Sequence, residues 1–327
     1  MSDKPKIFLT RPIPPASIEL LKREVELTYN PDNRVLSRTE LIAGMAGQDG
    51  LLCTLMDGID GELLDTNPNL KIVANYAVGY NNIDVAAASA RNIPVTNTPG
   101  VLTDSTADMA WALMFAIGRR LVEGDQLVRS RNWQGWGPLQ LLGQDITGAT
   151  LGLIGFGRIG KAMVQRAKGF EMKVVYWNRT RLSETEETEL GITYGSREEV
   201  LAQSDFVSLH VALTPDTTHL IGPTELAAMK STAYLINTAR GPIVDEKALV
   251  EALNSGSIGG AGLDVFEKEP ILEPELYDLP NVVIQPHLGS ATIGTRTKMG
   301  NMAAENCFAA CSGERPPNLV NPEIYNE

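Results

Sequence analysis

Three ionisable side chains, far apart in the sequence, are candidates for proton-transfer chemistry. Arg240 follows the apolar run YLINTA, Glu269 lies in LDVFEKEP, and His287 follows the β-rich run NVVIQP. Each comes at or soon after the end of a predicted strand, and the carboxyl ends of parallel strands meet at one edge of a sheet. The position of His287 at the carboxyl end of a strand suits a general acid. The sequence therefore predicts one acid–base site built from Arg240, Glu269 and His287.

The chain has only three histidines, so the other two are easily considered. His210 ends the run FVSLH, where it could line a ligand crevice or pack in the interior, and the sequence leaves both interpretations open. His219, in TPDTTHLIG, is interpreted as structural. Cys53, Cys307 and Cys311 form no metal-ligand spacing with the histidines, so no metal site is predicted.

A glycine-rich segment predicts a second kind of chemistry. Gly155, Gly157 and Gly160 stand in G-x-G-x-x-G spacing, with Arg158 and Ile159 between them. The triplet alone is weak evidence, but here it follows the strand-like run TLGLI and opens the helical run KAMVQRAKGF. Such a turn lets the backbone approach a pyrophosphate, whose charge the helix N-terminus favours. The segment therefore predicts dinucleotide binding.

The segment about twenty residues later predicts which dinucleotide binds. NAD sites usually place Asp or Glu there to bond the ribose 2′-hydroxyl. This chain has Asn178, Arg179, Thr180 and Arg181 instead. Guanidinium groups can pair with a 2′-phosphate, so NADP(H) is the preferred cofactor and NAD(H) remains possible. The alternative is that both arginines are ordinary surface charges.

Alternating strand-like and helical runs predict the elements that position these residues. One series fills the first hundred residues and a second runs from about 149 to 285, which indicates two α/β domains with parallel sheets. Residues 104–131 are predicted to form one long helix, and the charged run 184–189 a solvated helix face. The segment after the long helix is irregular and contains Trp133 and Trp136. Such a loop is usually functional or an oligomer contact, and the alternative is a loop whose tryptophans cover the helix.

Composition narrows the classes of partner. The 327 residues include 28 basic and 40 acidic side chains, for a net charge of −12, which argues against nucleic acid or an anionic membrane surface. No run approaches the length of a transmembrane helix. The opening MSDKPKIFLT lacks the apolar stretch of a signal peptide, and cysteines are few, so a cytoplasmic location is expected.

The sequence resembles the D-isomer-specific 2-hydroxyacid dehydrogenases over most of its length. The matching stretches occur in order along the chain: YAVGYNNIDV, VTNTPGVLTDSTADMAWAL, TLGLIGFGRIGKAM, DFVSLHVALTPDTTHLI, LINTARGPIVDEKAL, GAGLDVFEKEP and NVVIQPHLGSAT. Within the family, WNRTR and PPNLVN are most similar to reductases that use NADPH to reduce glyoxylate and hydroxypyruvate.

The resemblance implies roles for particular residues. Arg240 would bind the substrate carboxylate and polarise the ketone oxygen, His287 would protonate that oxygen, and Glu269 would accept a hydrogen bond from the imidazole. Two further groups of residues match positions of the family. The substrate group consists of Val78 and Gly79, whose amides would hold the carboxylate, Leu55, which would help to size the pocket, and Trp136, which would reach into a neighbouring subunit. The cofactor group adds Thr238, Asp264 and Gly289 to the glycine loop and the 178–181 turn, with Asp264 at the nicotinamide carboxamide.

The resemblance also implies an architecture and an activity. Residues 1–99 and 288–327 would form a flavodoxin-like substrate domain enclosing a Rossmann cofactor domain at 100–287, with the active-site crevice between two doubly wound parallel sheets. The expected protein is a homodimer that reduces glyoxylate or hydroxypyruvate to glycolate or D-glycerate. The alternatives are a phosphoglycerate or broad 2-oxoacid dehydrogenase and a dinucleotide-sensing protein like the transcriptional corepressors among the relatives.

Overall fold

The computed structural model describes residues 4–325, which divide into two compact units. One unit takes the chain up to Leu102 and from Ala291 onward, and the other is Thr103–Ser290. The sequence places these boundaries at 99/100 and 287/288, three residues earlier at each crossing. No helix among the described residues combines the length and the apolar character needed to cross a membrane.

The first unit is built on a five-stranded parallel sheet with strand order β2-β1-β3-β4-β5, which is the flavodoxin-like order. Its strands are β1 (Lys6–Leu9), β2 (Glu26–Tyr29), β3 (Gly50–Cys53), β4 (Ile72–Asn75) and β5 (Val95–Thr96). Its helices are α1 (Pro15–Glu24), α2 (Arg38–Met45), α3 (Gly61–Asp65), α4 (Val85–Ser89) and, from the end of the chain, the helix Ile293–Cys311. Four of these strands are buried over most or all of their length, whereas β2 alternates exposed and half-buried residues. Helix α3 was not predicted.

The two faces of this sheet bury alternate strand residues, as the pleat requires. Ile7, Leu52 and Ile72 face a cluster that includes Ala303 and Cys307 of the C-terminal helix. Phe8, Leu51 and Val73, among others, belong to a cluster on the opposite face. The residues of the C-terminal helix that become buried recur at intervals of three or four, which explains why a segment so rich in Ala packs as a helix on the sheet.

The second unit is a seven-stranded parallel sheet with order β12-β11-β10-β9-β6-β7-β8, the Rossmann order with one added strand. Its strands are β6 (Thr150–Ile154), β7 (Lys173–Trp177), β8 (Ile192–Tyr194), β9 (Phe206–Leu209), β10 (Tyr234–Asn237), β11 (Gly260–Leu263) and β12 (Val282–Ile284). Its helices are α5 (Thr103–Gly118), α6 (Leu121–Arg129), α7 (Arg158–Gly169), α8 (Glu184–Leu190), α9 (Arg197–Gln203), α10 (Pro223–Ala228) and α11 (Glu246–Ser255), so the helix Ile293–Cys311 is α12. Two parallel-sheet α/β domains are confirmed.

The predicted single helix over 104–131 is wrong, because the chain breaks between α5 and α6. Arg120 lies in the left-handed region with φ +53°, and the carbonyl of Gly118 accepts a hydrogen bond of 2.7 Å from the amide of Gln144. A Cβ on Gly143 would lie 2.2 Å from that carbonyl oxygen, so the returning loop contacts the end of α5 directly. A distant segment therefore takes the carbonyl that would otherwise continue the helix.

The irregular loop after α6 leaves its large apolar side chains in solvent. Trp136 is 84% exposed, Leu139 81% and Leu142 62%. The interpretation in which both tryptophans cover the helix is therefore wrong for Trp136. Exposed apolar side chains concentrated in one segment are typical of an interaction surface.

A glycine in α12 offers a test of how closely the helices of the first unit pack. A Cβ on Gly300 would lie 2.4 Å from Oγ of Ser17, which is already held by bonds to Thr297 and Asn301. Gly300→Ala should lower the free energy of unfolding by about 1–3 kcal/mol, because α1 and α12 must separate. Gly294→Ala is the matched control, since it has open space and should be neutral or slightly stabilising. Urea denaturation measures both, and equal midpoints for Gly300→Ala and wild type would contradict the packing argument.

Candidate active site

Arg240 is positioned by the turn that ends β10. The side chain of Asn237 shapes this turn, accepting from the amide of Ala239 at 3.0 Å and donating to the carbonyl of Arg240 at 2.9 Å. A Cβ on the next residue, Gly241, would fall 1.8 Å from the carbonyl carbon of Phe266. Only glycine fits there, so the turn after β10 lies directly against the segment after β11.

The guanidinium of Arg240 is half-buried and has few protein partners. Its Nη1 donates to the carbonyl of Ala239 at 2.7 Å. Burial lowers the pKa of Arg240, and the charge of nearby Glu269 acts in the opposite direction. Arginine keeps its charge in proteins, so a desolvated cation with spare donors remains. Such a group is suited to bind a carboxylate.

Glu269 and His287 are in direct contact. His287 Nδ1 lies 2.8 Å from Oε2 of Glu269, whose Oε1 accepts from the amide of Phe266 at 3.1 Å. Burial raises the pKa of Glu269, but the bond and charge of His287, the Phe266 amide and Arg240 outweigh it, so the pKa lies below its usual value. An ionised carboxylate only accepts, so Nδ1 carries the proton and Nε2 is left for another partner.

A second carboxylate fixes the backbone around His287. Asp264 follows β11, and its two oxygens accept from the amides of Leu288 at 2.6 Å and Gly289 at 2.7 Å. Burial raises the pKa of Asp264, against the effect of these amides. His287 itself has φ +56°, and its amide donates to the Asp264 carbonyl at 3.0 Å. A residue with a β-carbon stores strain in this region, which the bonds from Asp264 offset.

The glycine loop between β6 and α7 has the geometry that each glycine predicts. Gly155 has φ +95°, and a Cβ on it would lie 2.7 Å from the backbone of His210. A Cβ on Gly160 would lie 2.8 Å from the carbonyl of Gly155. Gly157 precedes the first residue of α7 and faces open space, and the first turn of the helix has no acidic residue. The loop thus leaves room for a phosphate beside the helix N-terminus.

Asn178 connects this loop to the turn after β7. Its Oδ1 accepts from the amide of Phe156 at 3.1 Å, and its Nδ2 donates to the carbonyl of Thr180 at 2.8 Å. Arg158 and Arg179 are exposed, and neither forms a hydrogen bond or ion pair with any residue in 4–325. Their charges are therefore free to meet an anionic ligand.

Arg181 has a different partner from the one that the sequence suggested. Its guanidinium binds both oxygens of Glu187, at 2.8 and 2.7 Å, and lies 5.1 Å from the ring centre of Tyr194. The hydroxyl of Tyr176 also donates to Glu187. The bonds from Arg181 and Tyr176 lower the pKa of Glu187 to about 2. Because Glu187 is only 8% exposed, the prediction of a solvated face over 184–189 is wrong at this position.

Two further side chains near the strand ends bear on what could bind. The hydroxyl of Thr238, after β10, is buried and has no hydrogen-bond partner among the described residues, which leaves it for a ligand. His210 lies 2.9 Å from Oγ of Ser208, and burial lowers its pKa to about 3. His210 is therefore neutral at pH 7, and because it is half-buried and bonded to Ser208 it is compatible with both lining a crevice and packing. No group of three potential metal ligands occurs within residues 4–325.

Val78, Gly79 and Leu55 belong to the first unit, whereas all the other candidate residues belong to the second. The carbonyls of Val78 and Gly79 accept from Asn97 at 2.8 Å and Asn75 at 2.9 Å. Leu55 is half-buried in the turn after β3.

Sequence reasoning missed the three asparagines that shape two of these turns, the Val78–Gly79 loop and the turn after β10. The signal was present, because Asn75 and Asn237 end strands and Asn97 directly follows β5. An asparagine there can bond to both donors and acceptors of the loop that follows.

Known proteins resemble this chain over most of its length. The profile of the D-isomer specific 2-hydroxyacid dehydrogenase NAD binding domain matches residues 111–289. A glyoxylate reductase of Thermococcus litoralis is 51% identical over 325 residues, covering 98% of each chain.

Two solved structures show the same fold. A protein from Thermus thermophilus, 45% identical, superposes with a TM-score of 0.91 over 96% of this chain and 99% of its own. An NADPH-dependent glyoxylate/hydroxypyruvate reductase of Sinorhizobium meliloti, solved with NADP and malonate, is 34% identical with a TM-score of 0.85, covering 97% of each chain.

The resemblance found in the sequence motifs is therefore confirmed at the level of whole-chain identity, a matching cofactor-domain profile and a shared fold. This protein belongs to the D-isomer-specific 2-hydroxyacid dehydrogenase family and is an NAD(P)-dependent oxidoreductase.

Proposed function

We propose that this enzyme reduces glyoxylate and hydroxypyruvate to glycolate and D-glycerate, with NADPH as the preferred reductant. The observation that carries the proposal is the 2.8 Å contact of His287 with Glu269, with the desolvated cation of Arg240 close enough to affect the same carboxylate. An acid and an anion-binding group together suit a substrate that carries a carboxylate beside a ketone or aldehyde. The identity of about 50% to glyoxylate reductases supports the same substrate class.

Three residues of the second unit, Arg240, His287 and Glu269, each have a defined task in this reaction. Arg240 binds the substrate carboxylate and polarises the neighbouring carbonyl oxygen. His287 donates the Nε2 proton to that oxygen, while Glu269 keeps the imidazole in the orientation and tautomer that present Nε2. The bound nicotinamide supplies the hydride, which completes the reduction of the carbonyl carbon. His287 then regains its proton from solvent, to which its side chain is 26% exposed.

The two units divide the ligands between them in this proposal. The first unit is the substrate domain, with the amides of Val78 and Gly79 for the carboxylate and Leu55 limiting the pocket size. The second unit is the cofactor domain, in which the glycine loop binds the pyrophosphate. Thr238, Asp264 and Gly289 serve the nicotinamide end.

Arg179 is the proposed reader of the 2′-phosphate. It has no acidic partner among residues 4–325, whereas Arg181 is already paired with Glu187. No carboxylate occurs in the segment Asn178–Arg181 to repel a phosphate. The free Arg158 on the first turn of α7 adds positive charge to the same loop.

A homodimer is the proposed assembly. The exposed apolar side chains of α6 and the following loop, including Trp136, Leu139 and Leu142, form a surface that a second copy would cover. Trp136, as the most exposed of them, is proposed to reach the active site of the neighbouring subunit.

The substrate proposal is tested by kinetics with Arg240→Ala. Wild type should oxidise NADPH with glyoxylate and hydroxypyruvate at higher kcat/KM than with pyruvate. Arg240→Ala should lose about 10²–10³-fold in kcat/KM, because a partly buried cation that stabilises developing charge is worth roughly 3–4 kcal/mol. The decrease in NADPH absorbance measures the rate of each enzyme with each substrate. Arg23→Ala, an exposed arginine at the end of α1, is the control and should match wild type. Near-normal turnover by Arg240→Ala would refute the assigned role, and a preference for pyruvate would refute the substrate.

The cofactor proposal predicts a contrast between two neighbouring arginines. Arg179→Ala should raise KM for NADPH about 10–100-fold and leave KM for NADH unchanged, because one charge-assisted contact to the 2′-phosphate is lost. Arg181→Ala should affect both cofactors by the same factor, since its partner is Glu187. Steady-state kinetics gives the KM of each variant for each cofactor. If Arg179→Ala changes the KM for NADPH and the KM for NADH by the same factor, Arg179 is excluded as the phosphate ligand.

The dimer proposal predicts that a charge on the exposed loop separates the subunits. Wild type should sediment at twice the chain mass of 35.4 kDa, and Leu139→Asp at the mass of one chain. The monomer should stay folded because Leu139 is already exposed in it. Val35→Asp, at another exposed apolar position, serves as control and should remain dimeric. A Leu139→Asp variant that sediments like wild type would place the interface elsewhere.

A further inference from the structure

Two backbone amides after β4 have no acceptor in the protein. Among residues 4–325, neither the N–H of Val78 nor that of Gly79 donates a hydrogen bond, whereas the amide of Tyr76, where the same turn begins, donates to the carbonyl of Cys53 at 2.8 Å. Both residues are half-buried. A partly buried amide without a partner is costly unless water or a ligand satisfies it. The loop therefore presents two adjacent donors for an anion.

The direction of these donors is fixed from behind by the residues that follow β5. In a trans peptide, the N–H points opposite to the C=O of the same unit. The carbonyl of Ala77 accepts from the amide of Thr98 at 2.9 Å, so the N–H of Val78 points away from Thr98. The carbonyl of Val78 accepts from Nδ2 of Asn97 at 2.8 Å, so the N–H of Gly79 points away from Asn97. Both donors thus emerge on the face of the loop opposite to residues 97–98.

The asparagine that orients Gly79 is itself held in place. The amide of Asn97 donates to the carbonyl of Asn318 at 3.3 Å, and the amide of Val95 donates to Oδ1 of Asn321 at 2.8 Å. Thr96 also forms an antiparallel bridge with Leu319. The segment after α12 therefore braces β5 and, through it, the side chain that contacts the loop.

We propose that Asn97 is a positioning residue for substrate binding: through the carbonyl of Val78, it holds the N–H of Gly79 toward the carboxylate of a small 2-oxoacid. The inference rests on the proposed function, since that function supplies the anion. Asn97 does not touch the substrate. It keeps in one orientation a donor that would otherwise rotate with the loop, and a donor fixed in advance costs nothing to order when the anion arrives.

The expected effect is on substrate affinity rather than on folding. Removing the Asn97 amide frees one carbonyl on a half-buried loop, where water can replace the bond. Substrate carboxylate contacts are made before and during the reaction alike, so their loss raises KM and leaves kcat nearly unchanged. A purely structural role would instead lower Tm or kcat without changing KM.

The test uses Asn97→Ala, Asn97→Asp and the control Asn69→Ala in the full-length enzyme. Asn69 is an exposed residue of the same unit, and its side chain forms no hydrogen bond or ion pair with residues 4–325. Asn97→Ala should raise KM for glyoxylate and Ki for oxamate, an unreactive carboxylate analogue, by the same factor of about ten. Its kcat should stay within about twofold and its Kd for NADPH, measured by fluorescence, should equal that of wild type. Asn97→Asp keeps the shape, loses the donor and adds a negative charge, so its KM should rise further. Asn69→Ala should match wild type throughout.

Two results separate this inference from the function on which it rests. If wild type consumes NADPH with glyoxylate but both Asn97 variants keep the wild-type KM and oxamate Ki, the positioning role is overturned and the proposed function stands. If wild type does not turn over glyoxylate and does not bind oxamate, the proposed function fails and the inference falls with it. Asn97→Asp keeps the test decisive should Asn97→Ala fold poorly.

Discussion

The hydrogen bond between Nδ1 of His287 and the carboxylate of Glu269 determines the orientation and tautomer of the imidazole at the carboxyl edge of the second sheet. A partly buried carboxylate is unfavourable unless it is paired, and here an imidazole, a backbone amide and a nearby guanidinium share it. The same bond decides which ring nitrogen of His287 faces outward. Without it, neither the orientation of the imidazole nor the low pKa of Glu269 would persist.

That bond depends in turn on the segments after β10, β11 and β12 being held in fixed positions relative to one another. Asp264 joins the end of β11 to the backbone after β12, and Gly241 brings the turn after β10 against the segment after β11. The first unit uses asparagine for the same purpose, at Asn75 and Asn97. In both sheets, short side chains hold the turns that follow the strands and convert them into fixed arrays of donors and acceptors.

Local sequence predicted those parts of the fold whose cause is local. The buried strands follow from short β-rich runs, and the glycine loop follows from backbone conformations that only Gly155 and its neighbours allow. The break after Gly118 was missed because its cause is the amide of Gln144, far along the chain. The pairing of Arg181 with Glu187 was missed because Tyr176, which completes that cluster, approaches only when β7 and α8 pack. The family was visible in the motifs, whereas the roles of single site residues rest on contacts that no spacing reveals.

The first unit is assembled from both ends of the chain, which has a consequence for biosynthesis. The face of its sheet that carries Ile7, Leu52 and Ile72 is covered by α12, and β5 is braced by Leu319 and Asn321. On a ribosome, these covering residues emerge only after the whole inserted unit has been made. The nascent amino-terminal segment must therefore wait with an uncovered apolar face while the inserted unit folds, and this interval is when the growing chain has most need of chaperone protection.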